Sequence, residues 1–312
     1  MLQATYDRAS KLGAEVYVIT EASHSEHVRG QLPELSHDAI IVEPGRRGTA
    51  NCIVMALDYI SRRHDDDEPI AFIHADHHIR DTDGFVYSFN AAAKVSQENS
   101  EITLIGIEPA YPATGFGYIE RGDVLDSEYG VYRVESFKEK PDFETAATYV
   151  STGNYLWNCG YFVGTWNVFL NEINRSAPGL AETYRRLRDI EFNTEDYQKT
   201  YLALENEVID IALIEKAQSL TVVSANFDWM DVGSFKDLHD AVERDEQGNH
   251  LRGNNIHAID IESVYVRNEE DKPIAVIGLD NIVVVNTPDG ILVARKDISH
   301  RTGEVAKKIQ NQ

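Results

Sequence analysis

Cysteine is scarce in this sequence, which has only Cys52 and Cys159 among 312 residues. Two widely separated cysteines exclude a small secreted scaffold held together by disulfides. The N-terminus also lacks the basic and then apolar leader of a secretory signal, and no apolar run is long enough to span a bilayer. These absences predict a reduced, cytoplasmic protein that does not cross a membrane.

Positive charge is also in short supply, because 29 Lys and Arg residues face 52 Asp and Glu residues, for a formal net charge of −23. Such a surface repels phosphate backbones and anionic lipid, which excludes nucleic acid polymers and membranes as partners. A single nucleotide is still compatible with this charge, because local Arg, Lys, backbone N–H groups or a divalent cation decide its binding.

The first part of the chain alternates strand-like and helix-like patterns. Short apolar runs rich in β-branched residues cover 16–20, 39–43, 70–74 and 102–108. Helical stretches cover 2–12, 24–32, 49–63 and 84–98, and a later strand over 131–140 leads into a helix over 143–151. This alternation predicts an α/β domain with a parallel sheet that helices cover on both faces.

The pattern changes after Asp245. Short strands separated by Gly and Pro turns follow one another, and no helix is predicted until 304–309. We therefore expect an α/β domain over 1–245 and a small all-β module over 246–312.

Two aspartates at strand-to-helix junctions are candidate metal ligands. Asp76 follows the strand in AFIHADHHIRD, and Asp231 in FDWMDVGSF precedes a Gly-Ser pair that opens a helix. Carboxylates from two distant loops suit Mg²⁺ when phosphates and water supply its other ligands. Either aspartate is equally compatible with a capping role. Zinc is a further alternative for Asp76, although the adjacent His77 and His78 cannot easily both turn inward.

Glycine-rich turns form a second group of candidates. In EPGRRGTAN, the glycines allow a close backbone approach, Thr49 offers a hydroxyl at a helix start, and Arg46 supplies a forked donor. In TGFGYIE, the Gly117 turn is suited to holding a sugar hydroxyl against the backbone. Ordinary loop or hairpin turns have the same composition.

Polar groups near aromatic residues complete the set. FKEKP places Glu139 and Lys140 at a strand end, where neighbouring side chains point to opposite faces if the strand persists. GNYLWNCGYF brings Asn158 close to aromatic residues, a mixture common in carbohydrate recognition and equally compatible with core packing.

The motifs together resemble those of the mannose-1-phosphate guanylyltransferases over nearly the whole chain. In sequence order they are EPGRRGTA, HADHHIRD, TGFGYIE, FKEKPD, GNYLWNCGYF, VIDIALIEK and FDWMDVGSF. The resemblance implies a Rossmann-like nucleotidyltransferase domain with a short C-terminal β-helix-like module. It also implies that GTP and mannose 1-phosphate react with Mg²⁺ to give GDP-mannose and pyrophosphate.

The resemblance further assigns residue roles. It implies that Asp76 and Asp231 bind the metal and that Lys140 meets the sugar phosphate, so these three form the expected catalytic set. Gly117, Glu139 and Asn158 are expected to face the mannose, and the segment from Arg46 to Thr49 the guanosine. A homodimer is compatible with this interpretation.

The sequence departs from the family pattern at three places. GRRGTAN stands where the family has GRNTAP, Cys159 replaces a usual serine, and the N-terminal signature GGxGTRLWPLSR is absent. That loop holds the triphosphate and accompanies a central strand. We therefore expect the 312-residue chain to be nearly inactive, marginally stable and prone to associate through an open sheet edge, with Met1 internal to a longer protein.

Three other functions stay open at this point. Asp76, His77 and His78 spell the DHH triplet of a phosphoesterase family, which requires further metal-binding clusters. A nucleotidyltransferase for another base or sugar 1-phosphate fits the same fold. A catalytically silent homologue that binds sugar nucleotides or a partner subunit also fits, because the signature loop is absent.

Overall fold

The computed structural model describes residues 1–66 and 68–310, with no account of the side chain of residue 310. These residues form two compact units. Unit 1 contains Met1–Ala75 and Ile79–Asp228, and unit 2 contains Asp76–His78 and Trp229–Gln312. The domain boundary expected at Asp245 stays a prediction.

The helices, numbered along the chain, are α1 Leu2–Ser10, α2 Ser25–Gln31, α3 Gly48–Ser61, α4 Thr82–Asn99, α5 Phe143–Thr152, α6 Trp166–Ser176, α7 Pro178–Arg188, α8 Glu195–Leu202, α9 Ile209–Ala212, α10 Phe235–Ala241 and α11 Thr302–Gln310. The early predicted helices are confirmed to within two residues at each end. None of the helices in the described ranges combines the length and apolarity needed to cross a membrane.

The strands, numbered in the same way, are β1 Val18–Glu21, β2 Ile40–Glu43, β3 Ile70–Phe72, β4 His77–His78, β5 Ile102–Ile107, β6 Tyr118–Asp126, β7 Val131–Lys138, β8 Tyr155–Gly164, β9 Leu220–Ala225, β10 Met230–Asp231, β11 His250–Gly253, β12 Ile256–Ile259, β13 Tyr265–Asn268, β14 Ile274–Ile277, β15 Ile282–Thr287 and β16 Gly290–Arg295. All four early predicted strands are confirmed, with small shifts at their ends.

The main sheet of unit 1 has six strands in the order β3-β8-β5-β9-β7-β6. The prediction of a parallel sheet is wrong for this sheet, which is mixed. β8 runs antiparallel to both β3 and β5, whereas β5 and β9 are parallel. Buried strands are apolar whichever way they run, so the residue pattern does not reveal their direction.

The core of unit 1 lies between this sheet and helices α3, α6 and α7. Helix α3 contributes Val54, Met55 and Leu57, which are completely buried, and they belong to one apolar cluster with Leu104 of β5 and Phe162 of β8. A helix that is apolar on most sides is typical of a central position. The predicted α/β class is confirmed.

A second, separate sheet of unit 1 contains β1 and β2. They pair in parallel, with Val18 opposite Ile40 and Glu21 opposite Glu43. Every residue of β1 and of β3 is only half-buried, although most of these side chains are apolar. Strands of this composition are normally covered on both faces in an α/β protein. The first predicted strands therefore do not share one continuous sheet with β3.

Unit 2 is a stack of short strands. β11, β13 and β15 pair in parallel, as do β12 and β14, and β16 returns antiparallel along β15. Val264, Val266, Val276 and Val284 form the apolar interior of the stack. This arrangement confirms the predicted β-helix-like C-terminal module.

Candidate functional site

Three residues from separate predicted motifs meet in unit 1. The carbonyl oxygen of Gly117 accepts a hydrogen bond from the backbone N–H of Asn158 at 2.8 Å. A Cβ atom at Gly117 would lie 2.7 Å from Oε2 of Glu139 and 3.3 Å from Cβ of Asn158. Only glycine fits so closely against these side chains. The structure thus brings together the three residues that were expected to face a sugar.

Lys140 joins this group because the backbone turns at its position. β7 ends at Lys138, and Lys140 adopts a left-handed conformation with φ of 42°. Its ammonium group lies 3.1 Å from Oε1 of Glu139. The strand does not persist to these residues, so the condition under which their side chains were expected to point to opposite faces is not met. The turn places an acid and a base side by side.

Asp210, in the first turn of α9, is a member of the site that the sequence analysis missed. Its Oδ1 accepts a hydrogen bond from Nδ2 of Asn158 at 2.8 Å, and Oδ1 of Asn158 accepts one from the N–H of Gly160 at 3.0 Å. These two bonds fix the orientation of the Asn158 amide. The available signal was the VIDIALIEK motif, which carries no spacing that ties it to Asn158.

His74 also belongs to this group. Gly160 has φ of 68°, and a Cβ atom there would lie 2.5 Å from Nε2 of His74. The imidazole therefore lies directly against the backbone of β8. His74 and Lys140 both act electrostatically to lower the pKa of Asp210. We call Gly117, Glu139, Lys140, Asn158, Asp210 and His74 the polar cluster of unit 1.

Each of the two carboxyl groups of the polar cluster has a raised pKa. Burial raises the pKa of Glu139, Asp210 adds to this rise, and Lys140 opposes it. Burial likewise raises the pKa of Asp210, against the hydrogen bonds it accepts from its own backbone and from Asn158. Both carboxylates are thus partly desolvated, and a ligand that donates hydrogen bonds would stabilise their ionised forms.

The chemistry of the polar cluster suits a small molecule that carries both hydroxyls and negative charge. Ionised carboxylates accept hydrogen bonds from hydroxyls, and such charge-assisted bonds are among the stronger ones in proteins. The Lys140 side chain, 61% exposed, is open to an anion. No nucleophilic hydroxyl or thiol is needed for binding of this kind.

The start of α3 is tied to the segment before α9. Thr49 Oγ1 accepts from the N–H of Ile209 at 2.9 Å, and the N–H of Ala50 donates to the carbonyl of Glu207 at 3.0 Å. Gly48 has φ of 81°, and a Cβ atom there would lie 2.0 Å from the Glu207 carbonyl oxygen. This contact explains why glycine occupies a position where the family pattern has another residue.

Arg46 and Arg47 have different surroundings. The guanidinium of Arg46 is 73% exposed and pairs with Glu21 at the end of β1, with Nε 2.8 Å from Oε2. Arg47 instead donates from Nε to the carbonyl of Leu202 at 3.0 Å, which holds the end of α8. Arg46 is therefore the arginine available to a ligand here, and the guanosine-side role of Arg46 and Thr49 stays a prediction.

The two predicted metal ligands lie on neighbouring segments of unit 2. β4 pairs antiparallel with β10, so that Asp231 is opposite His77 and Asp76 is the next residue along. Cα atoms of paired residues in such a ladder are about 4.5–5.5 Å apart. Asp76 is exposed and Asp231 half-buried. Carboxylates are hard oxygen ligands of the type that Mg²⁺ takes, and the sharing of one ion by these two residues stays a prediction.

The side chain of His77 forms a hydrogen bond within unit 2. Its Nδ1 accepts a hydrogen bond from Nε1 of Trp229 at 3.1 Å, and the residue is buried. Within residues 1–66 and 68–310, no group of three or more His, Cys, Asp and Glu side chains is placed to hold a metal ion. The described residues therefore offer neither the ligand set of a structural zinc site nor the clusters of a two-metal phosphoesterase.

The fold defines an α/β protein with an added β-helix-like module. The family model described as "Nucleotidyl transferase" matches residues 1–248, and that described as "MannoseP isomerase/GMP-like beta-helix domain" matches residues 253–309. The chain belongs to the nucleotidyl transferase family.

Curated relatives carry related names. The chain is 35% identical over 319 residues to a mannose-1-phosphate guanylyltransferase of Klebsiella pneumoniae, covering 99% of this chain. It is 34% identical over 320 residues to the xanthan biosynthesis protein XanB of Xanthomonas campestris pv. campestris, covering all of this chain. The alignment covers 66% of each relative, so the chain spans about two thirds of their length.

Solved structures show the same fold. One is described as a mannose-1-phosphate geranyltransferase from Thermus thermophilus; it has a TM-score of 0.83 and 25% identity, and the match covers 99% of this chain and 89% of that one. A mannose-6-phosphate isomerase from Helicobacter pylori has a TM-score of 0.63 and 23% identity, and covers 74% of this chain and 90% of that one. At that identity, the second match supports the fold alone.

Proposed function

We propose that the protein transfers GMP from GTP to mannose 1-phosphate, giving GDP-mannose and pyrophosphate. Membership of the nucleotidyl transferase family supports the reaction class, and the names of the curated relatives support the substrates. The observation that carries the proposal is the polar cluster, in which Gly117, Glu139 and Asn158 meet although they come from three separate motifs.

The polar cluster is proposed to bind the sugar phosphate. Glu139 and Asp210 accept hydrogen bonds from sugar hydroxyls, and the fixed amide of Asn158 keeps Asp210 in place. Lys140 neutralises the phosphate. Because the epimers mannose and glucose differ at one hydroxyl, a site that bonds that hydroxyl discriminates strongly between them.

The proposed reaction needs positioning and charge neutralisation rather than a covalent intermediate. An oxygen of the sugar phosphate forms a bond to the α-phosphorus of GTP. The bond from that phosphorus to the oxygen bridging the β-phosphate breaks, and pyrophosphate leaves with the electron pair. Lys140 reduces the charge repulsion between the two anions.

Mg²⁺ is the proposed cofactor, with Asp76 and Asp231 as its protein ligands. The register of β4 and β10 supports this pair, because it places Asp231 opposite His77, the residue that follows Asp76. When bound, the ion neutralises phosphate charge. Arg46, exposed beside Glu21, and Thr49 at the start of α3 are proposed to face the guanosine.

The test mixes GTP, mannose 1-phosphate and Mg²⁺ with the purified chain and, in parallel, with a version extended by the family's N-terminal signature loop, and it measures GDP-mannose and pyrophosphate. Because the 312-residue chain is expected to be nearly inactive, the kinetic constants predicted here and below are those of the extended version. Glucose 1-phosphate and the other nucleoside triphosphates are supplied in parallel. We expect the mannose and guanine pair to give the highest kcat/KM. Equal turnover of glucose 1-phosphate would remove the sugar assignment, and a preference for another base would remove the GTP assignment.

A second function, binding of the sugar nucleotide without turnover, is favoured by one observation. The Ala50 N–H at the start of α3 already donates a hydrogen bond to the carbonyl of Glu207. A helix-start N–H group that already donates a hydrogen bond within the protein is less able to bind phosphate. Calorimetry with GDP-mannose separates the two functions: binding without product formation would support this one.

A further inference from the structure

The turn formed by Glu139 and Lys140 has a backbone conformation that its own sequence does not favour. The ladder between β6 and β7 ends at Lys138, which is opposite Tyr118. Lys140 has φ of 42°, a left-handed conformation that residues with a side chain adopt rarely. Pro141 follows, and the residue before a proline favours an extended backbone instead. Contacts from outside the turn must therefore hold it in place.

Glu215 supplies such a contact. Its Oε1 accepts a hydrogen bond at 2.9 Å from the backbone N–H of Glu139, the first residue beyond the end of β7. The side chain of Glu215 is only 22% exposed, so this bond is largely shielded from water. Hydrogen bonds to an ionised acceptor are among the stronger ones in proteins.

An ion pair with Lys138 is the weaker of the two contacts that Glu215 makes. The distance from Nζ of Lys138 to Oε1 of Glu215 is 3.4 Å, and the lysine side chain is 56% exposed. Ion pairs that are exposed to water contribute little to stability. The acceptor oxygen of Glu215 therefore does more to hold the turn than its charge does.

The segment that carries Glu215 is itself firmly anchored. Glu215 lies in the short 3-10 helix Ile214–Lys216, which follows α9. Leu213 and Ile214 are buried in the apolar core of unit 1. Asp210 of the polar cluster lies in α9. One anchored segment therefore supplies Asp210 directly and reaches the turn through Glu215.

The turn determines where the carboxylate of Glu139 lies. Its Oε1 is 3.1 Å from Nζ of Lys140, and its Oε2 would be 2.7 Å from a Cβ atom at Gly117. Both oxygens are thus placed by neighbours on either side of the turn. If the turn relaxed toward an extended backbone, the carboxylate and the ammonium group would move apart.

We propose that Glu215 is a positioning residue for the sugar phosphate. Its carboxylate oxygen, through the N–H of Glu139, holds the turn in the form that presents the Glu139 carboxylate and the Lys140 ammonium group side by side to one ligand. Glu215 itself does not contact that ligand. The identity of the ligand rests on the proposed function, whereas the effect of Glu215 on the turn does not.

Three substitutions separate the acceptor oxygen from the charge. Glu215→Gln keeps an acceptor at the same distance along the side chain without the charge, Glu215→Asp keeps the charge on a shorter side chain, and Glu215→Met removes both. We expect the Met and Asp variants to raise KM for mannose 1-phosphate by about tenfold or more and to leave KM for GTP within about twofold. The Gln variant should stay within about threefold of the parent for both substrates.

Amide exchange of Glu139 without any ligand provides a second measurement, which does not depend on the substrate. The N–H of Glu139 should exchange at least about tenfold faster in the Met and Asp variants and at nearly the parent rate in the Gln variant. Exchange in β5 should stay unchanged in all three variants, which shows that the domain remains folded.

Glu172→Met is the matched control. Oε1 of Glu172 accepts a hydrogen bond from the backbone N–H of Gln218 at 2.8 Å, two residues beyond the short 3-10 helix, and its other partners are Ser176 and Arg175. This substitution removes the same kind of bond from the same stretch of chain. It should lower Tm at least as much as Glu215→Met does and leave KM for mannose 1-phosphate within about twofold.

Three results would overturn the inference while the proposed function stands. They are an unchanged KM for mannose 1-phosphate in Glu215→Met, an equal rise in Glu172→Met, and parent-like behaviour of Glu215→Asp with loss in Glu215→Gln. The last result would show that charge, rather than the acceptor oxygen, is what matters.

Two other results would overturn the proposed function without deciding against Glu215. If the parent used another sugar 1-phosphate, the same order of variants with that substrate would support the positioning role, and equal KM values would refute it. If the parent used none, exchange at Glu139 would decide: faster exchange in Glu215→Met supports the hold on the turn, and unchanged exchange refutes it.

Discussion

Glu139 combines a proposed ligand-binding position with an unfavourable charge. Burial, with Asp210 nearby, raises its pKa in the folded chain, whereas the unfolded chain has the ordinary value near 4.3. The stabilising contribution of a raised carboxyl pKa is fully present below the unfolded value and is lost as the pH rises through the folded value. Ionisation of Glu139 in the folded chain therefore destabilises the fold.

We predict that Glu139→Gln increases the free energy of unfolding at about pH 8 relative to the parent, and that this gain shrinks toward about pH 5. The same substitution should lower kcat/KM for mannose 1-phosphate by about a hundredfold, because a carboxylate that accepts from a hydroxyl is lost. Urea unfolding at both pH values is the measurement. The exposed Glu128→Gln is the control, and a variant that is less stable at pH 8 would contradict the prediction.

Gly48 allows a second test at the residue scale. Gly48→Ala introduces a Cβ atom 2.0 Å from the Glu207 carbonyl oxygen at a φ of 81°. Gly13 has a similar φ of 72° but nothing within 4 Å of its Cβ position. Gly13→Ala should thus cost about 1 kcal/mol of stability, from the left-handed backbone alone.

Gly48→Ala should cost about 3 kcal/mol or more, because the contact adds to the backbone strain. Thermal and urea unfolding of both variants provide the comparison. If the two substitutions cost the same, the packing of α3 against the segment before α9 is less rigid than the distances imply.

Individual site residues were predictable to different degrees. Glu139 and Asn158 were identified because acid, amide and aromatic groups cluster in their motifs. The position of Lys140 was not predictable, since it depends on a left-handed turn that a lysine rarely adopts. Asp210 was missed because its contact with Asn158 spans 52 residues, and local spacing carries no information about such a pair.

At the scale of elements, the short ladder between β4 and β10 carries the proposed metal site. We predict that Asp231→Asn reduces turnover by at least about a thousandfold at fixed Mg²⁺, because one of two hard ligands loses its charge. The exposed Asp123→Asn in β6 is the matched control. Partial rescue of Asp231→Asn at high Mg²⁺ would support a ligand role, whereas full activity at low Mg²⁺ would contradict it.

The parallel strands of unit 2 are held by a ladder of asparagines. The Asn286 amide donates to Oδ1 of Asn268 at 2.9 Å, and the Asn268 amide donates to the carbonyls of Asn254 and Lys272. Asn268→Ala removes the acceptor of the buried Asn286 amide and the donor to the carbonyls of Asn254 and Lys272. It should therefore lower the stability of unit 2 by about 2–4 kcal/mol.

Amide exchange of β13 and β15 in the Asn268→Ala variant measures this loss directly. Asn171→Ala, at an exposed position of α6, should change stability by less than about 0.5 kcal/mol. Unchanged exchange in β13 would show that the asparagine ladder adds little to the stack.

Element types were predictable, but their arrangement was not. Periodicity located the early strands and helices to within a few residues, and the change of pattern late in the chain predicted that a β-rich module follows the α/β domain. The direction of β8 could not be predicted, because a ten-residue strand that is mostly buried has the same apolar pattern in both directions. The separation of β1 and β2 from the main sheet could not be predicted either, because a local residue pattern does not show which sheet a strand joins.

The whole chain carries a strong negative charge, with direct consequences for its stability. At a net charge of −23, self-repulsion opposes the compact state at low ionic strength. Raising salt from about 0.01 M to about 0.15 M shortens the screening length from about 30 Å to about 8 Å. We predict that this change raises Tm by a few degrees, and sucrose of equal osmolarity is the control. A fall in Tm with salt would show that attractive ion pairs outweigh the repulsion.

The strand stack of unit 2 is also a one-dimensional solenoid, in which each coil contacts only the coils beside it. Its last strand, β16, reverses direction along β15, so the open edge is occupied by the hairpin of the same chain. In a solenoid without such a cap, the unpaired edge of the last coil can pair with strands of other molecules. The β15–β16 hairpin therefore ends the run of parallel coils, and a coil engineered before β15 would keep the same antiparallel strand at that end of the stack.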